Sequence, residues 1–120
     1  MDSSAYRTRD GLDLVTRHWA PSGPATATML IVHGMAEHCG RWDHVGEFFA
    51  AAGYDVHAFD LRGHGESDGP RLDVAGFDDC LDHYDENISR LIRAANRDGY
   101  NVVFDNVGGT LLDAALFNMA

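Results

Sequence analysis

The stretch Met29-Leu30-Ile31-Val32-His33-Gly34-Met35-Ala36-Glu37-His38 decides how the rest of the chain is read. Four consecutive apolar residues running into His-Gly describe a short strand covered on both faces, which is the habit of parallel strands. Working outward, Trp42, Val45, Phe48, Phe49 and Ala52 recur at helical spacing and Gly53 supplies a stop. A second strand follows over Tyr54 to Leu61, with Val56, Ala58 and Phe59 as its apolar members, and the Phe48-Phe49 pair is expected in the core. Upstream, Leu12 to Trp19 alternates weakly as a strand, and Pro21-Ser22-Gly23-Pro24 is a turn. Arg62 to Pro70 is a glycine-rich loop, and Phe77 to Ala95 carries Leu81, Tyr84, Ile88, Leu91, Ile92 and Ala95 in helical register up to Gly99. Val102-Val103-Phe104 is a third short strand, and Gly108-Gly109 turns into a last helix holding Leu111, Leu112, Ala115, Leu116 and Met119. Alternating strands and helices predict an α/β fold: a small three-layer sandwich with an incomplete, mostly parallel sheet and helices over 42–52, 78–97 and 109–119.

Composition narrows the partners. The chain has 120 residues, 9 basic and 19 acidic, for a formal net charge of −10. Such a surface opposes nucleic acid or anionic membrane, because neutralising phosphates requires a basic face. No apolar run approaches the roughly 20 residues of a spanning helix, and Met1-Asp2-Ser3-Ser4 does not open like a signal peptide, so a cytoplasmic location is expected. All basic residues are arginine, which reads as codon bias in a GC-rich genome ahead of adaptation to high salt. Cys39 and Cys80 form no CxxC pair and are expected to be reduced.

The runs Leu30 to His38, Arg41-Trp42, Gly53-Tyr54-Asp55-Val56 and Phe59-Asp60-Leu61-Arg62-Gly63-His64-Gly65-Glu66-Ser67-Asp68-Gly69 together resemble the N-terminal part of an α/β-hydrolase. The similarity is to the monoacylglycerol lipase and serine aminopeptidase branch, over roughly residues 5 to 75. It implies that the His-Gly-x turn builds an oxyanion hole, with the Met35 N–H facing the developing negative oxygen and His33 and Gly34 shaping the turn. It implies an acylglycerol or similar ester as substrate, and no cofactor or metal.

Two local patterns compete with that reading. Gly65-Glu66-Ser67-Asp68-Gly69 satisfies G-x-S-x-G, but a nucleophile elbow needs a strand running straight into the serine and a helix leaving it. Ser67 has a glycine-rich loop before it and Pro70 after it, so it is read as structural. His33, Glu37, His38, Cys39, Asp43 and His44 crowd one stretch, but Gly34 opposes the helix that an H-x-x-E-H zinc site requires, and polar residues facing solvent are expected there.

From about residue 76 the sequence, with Asn101-Val102-Val103-Phe104-Asp105-Asn106-Val107-Gly108-Gly109, resembles medium-chain dehydrogenase/reductases of the prostaglandin reductase type. A single α/β domain over 1–120, hydrolase-like over 1–75 and reductase-like over 76–120, is expected, with a seam between about 73 and 90. No G-x-G-x-x-G is present, since Gly63-x-Gly65 and Gly69 are off by one, so a dinucleotide has no phosphate loop. Superposing the glycine pair on a hydrolase elbow puts Asn106 at the serine position, Val107 at the second oxyanion donor and Phe104 where a glycine belongs. The last histidine is His83, ahead of that point, although hydrolase triads run Ser, Asp or Glu, then His. The expectation is a truncated or fused hydrolase-like protein, inactive alone, with the 102–105 strand docked in the elbow's slot in the sheet. The alternatives are a serine ester hydrolase completed by a partner and an NADP-dependent oxidoreductase fragment. An unfinished sheet also suggests self-association through its open edge.

Overall fold

The computed structural model describes residues 1–71, 93, 97–105 and 119. Five strands carry it: β1 (Asp2–Arg7), β2 (Asp13–Trp19), β3 (Ala27–Val32), β4 (Tyr54–Phe59) and β5 (Val102–Asp105), in the order β1-β2-β4-β3-β5. Between β3 and β4 lie a 3₁₀ turn, Cys39–Trp42, and helix α1 (Asp43–Ala51).

β3 is an interior strand and the most apolar, with Met29 to Val32 all buried. It pairs in parallel with β4, Ile31 opposite Ala58, and in parallel with β5, Ile31 opposite Phe104. The strand at 102–105 therefore pairs in the sheet, beside β3. The α/β class and the partial sandwich hold. The sheet is mixed, because β2 runs antiparallel to β4 and carries β1 as an antiparallel hairpin partner. β1 had no sequence signal: all its residues but Tyr6 are exposed and most are polar, and backbone pairing from Asp2↔His18 to Arg7↔Asp13 holds it.

Strand alternation sorts the two faces. Trp19, Met29, Ile31, Val56 and Ala58 form one buried cluster, against which Trp42, Val45, Phe49, Ala50, Tyr54 and Val102 pack. Gly46 lets α1 approach this closely: a Cβ there would sit 2.4 Å from the Trp19 ring. Phe49 joins the core as expected, but Phe48 does not. One position back, it lies about 100° around the helix and is 69 % exposed, touching Phe49 edge-on. The seam region and the helices expected over 78–97 and 109–119 lie largely outside the described residues. No described helix is long and apolar enough to cross a membrane.

Candidate functional site

His33 leaves the end of β3 fully buried. Its Nε2 accepts the Leu61 N–H at 2.9 Å, which places the ring proton on Nδ1, and Nδ1–H donates to the Gly34 carbonyl at 2.8 Å. Burial pushes this imidazole below its usual pKa, outweighing the Gly34 bond and the nearby Asp60 charge. His33 is thus a neutral brace between the end of β3 and the loop after β4. Its Nε2 stands 4.0 Å from Asp60, too far for a hydrogen bond.

The turn continues over Gly34 to Glu37, closed by the Glu37 N–H on the Gly34 carbonyl at 3.2 Å. Ala36, at its third position, has φ +59°, the left-handed region that disfavours a side chain. The Gly34 N–H is engaged by Glu37 Oε2 at 2.9 Å. Of the three residues expected at the oxyanion turn, His33 uses both ring nitrogens and Gly34 its amide. Met35 is 53 % exposed, and its N–H meets no acceptor among the described residues.

The loop after β4 is organised by Asp60. Its carboxylate accepts the Cys39 N–H at 2.6 Å and the Glu66 N–H at 2.9 Å, joining the segment after the turn to the glycine-rich loop. Burial alone would raise this carboxyl, but the bonds from Cys39 and Glu66, with the His33 interaction, hold it below its usual pKa. Burial also raises the Cys39 thiol, which stays protonated. Gly65 passes so close that a Cβ would lie 2.0 Å from Asp60 Oδ2, at φ +50°.

Ser67 is fully buried. Its Oγ accepts the Val15 N–H at 2.8 Å and donates to the Asp60 carbonyl at 2.8 Å, so both roles of the hydroxyl are spent on fastening the loop to β2. The G-x-S-x-G letters therefore mark a structural serine. His64, on the same loop, stands 5.3 Å from the His33 ring centre and bonds Arg62 O through Nδ1.

The 33–44 cluster is dispersed: Cys39 is buried, His38 and His44 are exposed, and Asp43 pairs with Arg17 at 2.9 Å. Among the described residues one other group brings three potential ligands together, His18, Asp55 and His57. Sequence reasoning passed over it because His18 is remote in the chain, although Asp55-x-His57 on a strand puts both side chains on one face. Asn106 and Val107, expected at the elbow position, lie outside the described residues. β5, the strand that leads into them, is parallel to β3.

A family model described as "Serine aminopeptidase, S33" matches residues 23–112, three quarters of the chain and across the expected seam. Mouse "Monoglyceride lipase" is 40% identical over 80 residues, 63% of this chain and 26% of that protein. An uncharacterised abhydrolase domain-containing protein of Dictyostelium discoideum is 35% identical over 105 residues, covering 88% of this chain and 11% of its own length. Among solved structures, a "probable hydrolytic enzyme" of Pseudomonas aeruginosa superposes with TM-score 0.70 over 97% of this chain and 36% of its own, at 21% identity. The chain thus spans about a quarter of the mouse lipase and less of the Dictyostelium protein.

Proposed function

This chain belongs to the serine aminopeptidase family of α/β-hydrolases, and on that premise we propose that it is a monoacylglycerol lipase-like scaffold that does not hydrolyse esters by itself. The carrying observation is the position of β5, parallel to β3 and in register from Met29↔Val102 to Val32↔Asp105. In an α/β-hydrolase the nucleophile sits on a sharp turn between a strand and a helix, within reach of the oxyanion turn. Here the residue after β5 is Asn106, whose amide is no nucleophile at neutral pH. Residues 107–120 hold no serine or cysteine, and residues 84–120 hold no histidine that could act as general base within this stretch. The part of the machinery assigned to this stretch is the oxyanion turn, with Met35 N–H as the donor and Val107 as the second candidate.

The ester class, acylglycerol, is inferred from the names of the relatives. The family match continues to residue 112, which favours hydrolase ancestry through the seam over an oxidoreductase fragment. Self-association is assigned to the β1 edge, at one end of the strand order, and sedimentation of the 120-residue chain tests it.

The reading is tested with a fluorophosphonate probe and with p-nitrophenyl and monoacylglycerol esters. Neither labelling nor turnover is expected from the chain, nor from Asn106→Ser, which restores a hydroxyl without a base. Labelling at any serine of the unaltered chain, with turnover, would overturn the proposal and favour the active-hydrolase alternative.

A further inference from the structure

His18, Asp55 and His57 take no part in the oxyanion turn. His18 and His57 are register partners across β2 and β4, and their rings stack 4.4 Å apart at an interplanar angle of 10°. Asp55, two residues before His57, shares that face, which alternation places opposite the α1-covered core. One carboxylate oxygen meets His18 Nε2 at 2.6 Å and the other meets His57 Nε2 at 3.0 Å. One ligand atom from each residue lies within 4.8 Å of the others.

Two imidazoles turned by the same nitrogen toward one carboxylate form the donor set that borderline divalent ions prefer, leaving a fourth position for water. Exposure is graded across the group, 37% for the His18 side chain, 26% for Asp55 and 13% for His57, so an ion can enter from the His18 side. A second observation comes from Tyr100. It is fully buried, its ring stands edge-on to His57 at 5.6 Å, and it feels the Asp55 charge. Its hydroxyl has no partner among the described residues. A water held by an ion at this cluster supplies such a partner. Because backbone pairing fixes the two strands, the ligands need little rearrangement.

We propose that His18 Nε2, His57 Nε2 and Asp55 bind one divalent transition-metal ion, of the zinc class, that clamps β2 to β4. The test uses the full chain after chelator treatment, titrated with Zn²⁺ and with Co²⁺ as a spectroscopic probe. One equivalent is expected, with a visible Co²⁺ band of low coordination number, a raised Tm, and shifts in the imidazole ¹⁵N signals of His18 and His57 alone. His18→Gln and Asp55→Asn should each weaken binding at least about tenfold. A His38→Gln/His44→Gln double variant, altered at two exposed histidines, should bind normally. Absence of saturable uptake overturns the proposal, as does uptake that survives the first two variants or that shifts other histidines. If those variants fail to fold, the ¹⁵N titration of the unaltered chain decides.

Discussion

Ser67 Oγ accepts the half-buried Val15 N–H on one side and donates to the buried Asp60 carbonyl on the other, so its removal takes a partner from both. Ser67→Ala is expected to cost about 1–3 kcal/mol, read as a lower urea midpoint with the slope unchanged. An unchanged midpoint would mean that the loop is not fastened there. Gly65→Ala is harsher in kind, because the new Cβ meets Oδ2 of Asp60, whose carboxylate is held by the Cys39 N–H on Oδ1 and the Glu66 N–H on Oδ2. It should destabilise by about 1–3 kcal/mol or more, and equilibrium unfolding checks it. A motif of letters cannot show whether its serine is spoken for; here Val15, 52 residues away, and Asp60 decide, and the glycine-rich loop before Ser67 and Pro70 after it hinted at it. The role of Asp60 was equally hidden, since Cys39 and Glu66 reach it from opposite sides of the turn and loop.

At the level of elements, β3 has hydrogen-bonded neighbours on both sides, whereas β1 is bonded on one side only. Amide exchange should therefore be slowest over Met29–Val32 and fast over Asp2–Arg7, measured residue by residue. Equal protection of the two strands would contradict the strand order. The apolar runs that became β3 and β4, and the spacing that became α1, were legible because burial writes that pattern; the run that became β5 was legible as well, although Val102 and Val103 are half-buried and Phe104 is exposed. β1 was not legible, since an exposed strand held by main-chain bonds needs no apolar alternation. The His-Gly turn was legible as a turn, but the bracing role of His33 was not: its partner, the Leu61 amide, is a backbone group with no residue-type signature. Likewise His18 and Asp55 meet only once β2 and β4 have paired.

Among the described residues, the imidazoles His33 and His57 and the carboxylates Asp10, Asp55 and Asp60 are shifted in ways that bear on the response to pH. Burial lowers His33 and His57, the latter against its Asp55 bond. Both are neutral in the folded chain over a range where the unfolded chain takes up protons, below about pH 6.5. Stability should therefore be flat between about pH 7 and pH 8 and fall as pH drops below about 6.5, each group adding a slope of at most about 1.4 kcal/mol per pH unit. Asp55 and Asp60 are lowered instead, by bonds that overcome burial. Their stabilisation is present above the unfolded value near pH 3.9 and is lost as pH falls through the folded values, giving a second decline. Tm of chelator-treated protein from pH 8 to pH 3 checks both steps; no change between pH 7 and pH 5 would contradict a neutral, buried His33. The interior place of β3 bears also on how the chain is made. On the ribosome, β1 and β2 emerge together and β4 follows β3 after one helix, but the second edge of β3 stays bare until Val102–Asp105 has been synthesised. Until then the nascent chain carries its most apolar strand with one side open, a natural point of capture for a holding chaperone.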